Sequence, residues 1–205
     1  MVAIPKHRSD VRLSACLLCG GMSRRMGRDK ALIPHSRGGV WLTFLLDQLS
    51  ALALPVVVVS GHGEHAEMVR CRDGVSFLQD PGACNGPLHA VAQVLSPDMH
   101  QPLMVLPVDM PRLTTEVLRR LIKVWAMEPQ VAAVAHDGEQ LQPLLGIYPS
   151  GSPFQSTLVS QLKREEWSWH AWLNCIPYRS VALPAQALLN ANSPEDLAAL
   201  SDEHL

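Results

Sequence analysis

The chain has 205 residues, 47% of them hydrophobic and 18% charged, which is enough for one sizeable core and too little for two ordinary domains. Seventeen Lys and Arg against nineteen Asp and Glu leave a formal net charge of -2, which excludes a strongly basic nucleic-acid binder and confines any anion site to a local cluster. No apolar run approaches the roughly 20 residues that cross a bilayer. A single domain over residues 1–205 is therefore expected, with 1–12 and 201–205 as flexible ends and with neither a membrane nor a nucleic acid as partner. Five cysteines at irregular spacing, Cys16, Cys19, Cys71, Cys84 and Cys175, suit a reducing cytoplasm better than a disulfide scaffold. The Gly-broken stretch from Leu13 to Met22 lacks a small-residue cleavage pattern, which argues against secretion.

Seven short aliphatic stretches bounded by turn formers read as strands: 13–19, 55–60, 75–79, 103–108, 131–135, 143–148 and 180–183. Runs such as Val56-Val57-Val58-Val59 and Leu103-Met104-Val105-Leu106 are apolar on both parities, the pattern of strands covered on both faces. Between the first two strands, Leu45, Leu46, Leu49 and Leu52 recur at helical spacing and predict a packing helix over 43–53. Gly86-Pro87 reads as a further helix start, its positive end facing the strand ends. Val117, Leu118, Leu121, Ile122 and Trp125 predict a helix over 115–127, with Thr114 as N-cap and Pro129 beyond its end. Ser152-Pro153 and Ser193-Pro194 each offer a capping hydroxyl before a proline at the first helical position. Strand alternating with helix implies a three-layer α/β fold around an open, mostly parallel sheet, whose ligand crevice lies at the carboxyl ends of the strands.

Directly after the first strand, Cys19-Gly20-Gly21-Met22-Ser23-Arg24-Arg25-Met26-Gly27-Arg28-Asp29-Lys30 packs three glycines and four cations into twelve residues. Glycines let backbone N–H groups approach phosphate oxygens, and Arg25 and Lys30 offset the charge of a triphosphate. Two familiar phosphate loops fail on their letters, for there is neither a Gly-Lys-Ser/Thr ending nor a Gly-x-Gly-x-x-Gly.

The run Leu18-Cys19-Gly20-Gly21-x-Ser23-x-Arg25-Met26-Gly27-x-Asp29-Lys30 resembles the signature of molybdenum cofactor guanylyltransferases, within the nucleotidyltransferases of Rossmann-like fold. The resemblance continues through Asp80 and Gly86-Pro87-Leu88, through Val108-Asp109-Met110-Pro111 and Gln142-Pro143-Leu144, and into Asn190-Ala191-Asn192-Ser193-Pro194. It implies transfer of GMP from GTP to molybdenum-molybdopterin, with release of pyrophosphate. Arg25, Lys30 and Asp109 become the catalytic set, and Asp109 becomes the ligand of Mg²⁺. Leu18, Cys19, Gly20, Gly21, Lys30, Ser60, Asp80 and Asp109 become nucleotide-binding, Ser60 standing where some members place an Asn. Gly86, Pro87, Gln142, Asn190 and Asn192 fall to the acceptor. The family further implies molybdenum-insertion proteins and recipient molybdoenzymes as protein partners. The rival readings are a CTP-dependent or other small-molecule nucleotidyltransferase and a non-catalytic GTP-binding protein that delivers cofactor. Two departures stand out: Cys19 replaces the usual Ala, and His89-Ala90 replaces Ala-Gly, where a side chain at Ala90 is expected to narrow the acceptor space.

Physical readings accompany these assignments. Asp109 follows the strand 103–108 and so reaches the crevice, where a hard carboxylate oxygen suits Mg²⁺ beside phosphates. Asp80 follows the strand 75–79 in the same way. Cys16-x-x-Cys19 resembles a metal or redox pair, but residues three apart on a strand point to opposite faces. His62 and His65 share a helical face without a third ligand at nearby spacing, and read as surface histidines together with His100, His136 and His170. Trp169 and Trp172 share a helical face and read as core.

Overall fold

A computed structural model describes residues 12–20, 29–80, 86–98, 100–191 and 196. The strands are β1 (Ser14–Leu18), β2 (Val56–Ser60), β3 (Val75–Gln79), β4 (Leu103–Pro107), β5 (Ala132–His136), β6 (Leu141–Tyr148) and β7 (Tyr178–Ala182). Each lies within two residues of its expected limits. They form one sheet in the order β3-β2-β1-β4-β6-β5-β7. Every neighbouring pair is parallel except those made by β6, which runs antiparallel to both β4 and β5.

The helices are α1 (Trp41–Ser50), α2 (Glu64–Val69), α3 (Gly86–Ala92), α4 (Thr115–Trp125), α5 (Phe154–Lys163) and α6 (Trp169–Leu173). Strand residues of opposite parity feed two separate cores. Ala15, Leu17 and Cys19 pack with Leu42, Leu45 and Leu49 of α1, Val69 of α2, and Leu118 and Leu121 of α4. Cys16 and Leu18 pack on the other side with Leu88 of α3, Leu158 of α5 and Trp172 of α6. The three layers follow directly from strands that are apolar on both parities. The thiols of Cys16 and Cys19 accordingly enter opposite cores, and burial pushes the Cys16 thiol up to about 12. Cys19 is raised too, by burial first and then by the negative charge of Asp29.

Two helix starts differ from expectation. Thr43, the first residue of the predicted 43–53 helix, is instead the third residue of α1: its hydroxyl accepts the Val40 N–H at 3.0 Å, which lets the helix begin at Trp41. At α5 the N-cap is Pro153, and the Ser152 hydroxyl pairs with that of Ser156 at 3.2 Å rather than with a backbone N–H. Thr114 caps α4 as expected, accepting the Val117 N–H. Residues 193 and 194, the second expected start, lie outside the described residues. Trp169 and Trp172 are core as expected, their rings crossing edge to face at 5.6 Å, whereas Trp167 is 39% exposed.

Candidate active site

Main-chain pairing carries the strands one residue past their ends and so brings the expected nucleotide residues together. The Cys19 N–H donates to Val59 O at 2.9 Å, Val108 N–H to Leu18 O at 3.0 Å, and Asp80 N–H to Ser60 O at 2.8 Å. Leu18, Cys19, Gly20, Ser60, Asp80 and Asp109 therefore occupy one rim, at the carboxyl ends of β1 to β4. A Cβ on Gly20 would stand 3.8 Å from Asp80 Oδ2, which measures how near the Asp80 carboxylate comes to the main chain after β1. Gly21 and Arg25 lie outside the described residues.

Asp29 Oδ1 accepts the Ala31 N–H at 2.9 Å and caps a single 3₁₀ turn over Lys30–Leu32. Ala31 is buried, so the turn is anchored from below and Lys30 is projected from it. Lys30 Nζ donates to Asp109 Oδ2 at 3.0 Å, with side chains 16% and 23% exposed. The second oxygen of Asp109 has no hydrogen bond among the described residues. A cation and a carboxylate thus meet at the rim, both partly exposed.

On the other side of β4 the antiparallel β6 matters. Its register pairs Leu103 with Tyr148 and Val105 with Gly146, beyond which β6 is irregular: against β5 the pairing jumps from Val134–Gly146 to Ala135–Gln142. Gln142 Nε2 donates to Asp137 Oδ2 at 2.9 Å, and Asn190 Nδ2 donates to Gln142 Oε1 at 3.3 Å. Asp137 Oδ1 accepts the N–H groups of Gln140 and Glu139 at 2.8 and 2.9 Å. These two backbone bonds, with the Gln142 amide third, pull the Asp137 carboxyl down to about 2. The next residue, Ala191, donates its N–H to the backbone oxygen of Asp109 at 3.0 Å, tying this arm to the charged pair. Asp137, Glu139, Gln142, Leu188 and Asn190 line a cavity of about 410 Å³. Asn192 lies outside the described residues.

Gly86, at a φ of +71°, opens α3, a seven-residue helix that turns Leu88, Ala90 and Val91 into the second core. Ala90 is 3% exposed, so its methyl points into the protein and does not narrow the crevice as expected. His89 instead sets its ring edge-on to Trp167 at 6.2 Å.

His65 departs most from the surface position expected of it. It is fully buried, because it shares the inner face of α2 with Val69, four residues on. Its Nδ1 lies 2.8 Å from Ser60 Oγ and its Nε2 2.8 Å from Asp29 Oδ2, so Ser60 is buried as well and its hydroxyl faces inward. The third polar partner that sequence spacing did not offer is Asp29, thirty-six positions away. Asp29, Glu64 and His65 bring ligand-type atoms within 4.8 Å of one another. Asp137 was also missed, although Asp137-Gly138 between two apolar runs is a hairpin signal.

Residues 15–174 match a family described as the MobA-like NTP transferase domain. The chain is 34% identical over 203 residues to a probable molybdenum cofactor guanylyltransferase of Rhodopirellula baltica, covering 96% of this chain and 95% of that one. A probable molybdenum cofactor guanylyltransferase of Trichormus variabilis is 33% identical over 202 residues, covering 93% and 91%. The fold is shared with a crystal structure titled molybdopterin-guanine dinucleotide biosynthesis protein A from Archaeoglobus fulgidus, at a TM-score of 0.71 and 20% identity, over 91% of this chain and 95% of that one.

Proposed function

Because the chain belongs to the MobA-like NTP transferase family, we propose that it transfers GMP from GTP to the terminal phosphate of molybdenum-molybdopterin and releases pyrophosphate. The observation that carries this reading is the Lys30–Asp109 pair at 3.0 Å on the carboxyl rim, joined through Ala191 to the Asn190–Gln142 arm. A terminal phosphate has a second pKa of about 6, so at neutral pH it is largely dianionic and attacks the α-phosphorus without a general base. The bond from the α-phosphorus to the bridging oxygen breaks as the new one forms, and pyrophosphate carries the electron pair away. Positioning and charge neutralisation are what remain for the protein to supply.

Within this reading Lys30, with Arg25, neutralises the charge that grows on the leaving group. Gly20 and Gly21 bring main-chain N–H groups to the triphosphate, with Leu18, Cys19 and Asp80 alongside. Gln142, Asn190 and Asn192 hold the acceptor, with Gly86 and Pro87 at the start of α3. Asp109 suits Mg²⁺ because it offers a hard carboxylate oxygen with no hydrogen bond among the described residues, next to the place assigned to the phosphates. When bound, the ion supplies Lewis-acid neutralisation of phosphate charge. No helix among the described residues is long and apolar enough to cross a membrane.

Thermal unfolding with Mg²⁺ and GTP, CTP, ATP or a nucleotide sugar tests the nucleotide. A ligand at 100 times its Kd adds about 2.7 kcal/mol, roughly 5–10 °C for a chain of this size. Selective stabilisation by GTP, followed by acceptor-dependent pyrophosphate release, is expected. Selectivity for CTP would replace the guanylyl reading with a cytidylyl one, and GTP binding without pyrophosphate release would leave a delivery protein.

A further inference from the structure

The buried chain Ser60–His65–Asp29 ends one residue before Lys30, and its chemistry fixes a direction. A carboxylate only accepts hydrogen bonds, so the His65 nitrogen that faces Asp29 Oδ2 at 2.8 Å, Nε2, is the protonated one. In the neutral ring Nδ1 is then the acceptor, and the Ser60 hydroxyl donates to it across 2.8 Å. Ser60 Oγ in turn accepts the His62 N–H at 3.0 Å, which orients the hydroxyl. Among the described residues neither Asp29 Oδ2 nor His65 Nε2 has an aligned hydrogen-bond partner; the two meet in a close ionic contact at 2.8 Å, with His62 Nδ1 3.9 Å from the same oxygen. The other oxygen of the same carboxylate caps the turn that carries Lys30.

We propose that His65 is a positioning residue for Lys30: by holding Asp29 from the end of β2 and from α2, it fixes the 3₁₀ turn that aims the Lys30 ammonium at the triphosphate. This rests on the reading that Lys30 meets a nucleotide phosphate. His65 touches no reacting atom; it acts through Asp29. Losing the buried ring packed against the capping carboxylate at 2.8 Å frees that carboxylate to rotate, and the turn that it caps loosens with it.

The test compares His65→Ala, His65→Gln and the wild-type protein by amide hydrogen exchange over residues 29–33 and by the KM for GTP and for the acceptor. Glutamine places an amide N–H close to the position of Nε2 and so restores the donor. In His65→Ala, exchange over 29–33 is expected to rise about tenfold with the β1 and β4 amides unchanged, and the KM for GTP to rise about tenfold with acceptor KM within twofold. His65→Gln should recover most of both. Uniformly faster exchange across the whole sheet, without rescue by glutamine, would reduce His65 to a core residue and overturn the proposal, as would unchanged exchange and unchanged KM in His65→Ala. Stoichiometric Zn²⁺ uptake by the wild-type protein, lost in both His65→Ala and Asp29→Asn, would overturn it in favour of a metal joining Asp29, Glu64 and His65. Exchange is read without nucleotide, so failure of the wild-type protein to bind GTP would count against the guanylyl reading alone and leave the coupling of His65 to the turn decided.

Discussion

The two sides of β4 build their parts of the rim by different means. Toward β1, β2 and β3 the strands are parallel and end in step, and the main chain itself delivers Cys19, Gly20, Asp80 and Asp109 to one edge. Toward β6 the neighbour is antiparallel, so the start rather than the end of the strand faces that way, and Gln142, past an irregularity of β6, is tied to the rim through Asn190 and the Ala191 N–H on Asp109. From that point a side-chain relay, Asp137 to Gln142 to Asn190, takes over the positioning. One half sets where charge stands, the other sets which way amides point. Substitutions in the first should therefore act on turnover through charge, and in the second on acceptor affinity through orientation.

The largest expected effect falls on the charged pair. Asp109→Ala should lower turnover by about 1000-fold or more, since it removes the carboxylate proposed for the metal and the group that Lys30 meets at 3.0 Å. Lys30→Ala should lower it by about 100- to 1000-fold, through loss of charge at the leaving group. Both are read as acceptor-dependent pyrophosphate release by protein whose thermal unfolding stays cooperative. Near-wild-type turnover in either variant would remove that residue from the mechanism, and with it the idea that this half works through charge.

The parallel half is also where sequence spoke most clearly. Continuous apolar runs identify strands covered on both faces, and the residues just beyond them, Cys19, Asp80 and Asp109, need only the rule that parallel strands share their carboxyl edge. The limits of α1 and α5 were harder, because Thr43 and Ser152 are good capping residues and only the completed fold shows that one serves from inside the helix and the other not at all. Burial of His65 was hidden for a different reason. Its partners Ser60 and Asp29 lie on separate elements, and a single apolar neighbour four residues away is a faint periodic signal. Ala90 misled because its position after Gly86-Pro87 suggested the crevice, whereas the turn of α3 sends its methyl into the core.

The relay half predicts smaller and more selective losses. Asp137 accepts from Gln142 Nε2, which leaves Gln142 Oε1 for the Asn190 amide N–H and turns the Asn190 carbonyl oxygen away from the relay. Asp137→Ala should release this polarity and raise the acceptor KM about tenfold, while the Kd for GTP stays within twofold. Equal loss of affinity for both substrates would show that the two halves are not separable. Gln142→Glu offers a sharper version. It sets a carboxylate against Asp137 and should cost more acceptor affinity than Gln142→Ala; the reverse order would mean that Gln142 contributes packing rather than orientation.

The smallest effect is one of pH, and its sign follows from the carboxylate. In the folded protein Asp137 is lowered from 3.8 to about 2 by the backbone N–H groups of Gln140 and Glu139 and by the Gln142 amide. Between those values the unfolded chain binds the proton and the folded one does not, so protonation favours unfolding. The stabilisation is complete above 3.8 and is lost as pH falls through about 2. The Asp137 side chain is partly open to solvent, which keeps the effect modest. The difference in urea midpoint between the wild-type protein and Asp137→Asn should be constant at neutral pH and should narrow as pH falls from 3.8 toward 2. A difference that survives unchanged at the lower limit would mean that asparagine fails for lack of shape rather than lack of charge, and the relay would then start at Gln142 instead of Asp137.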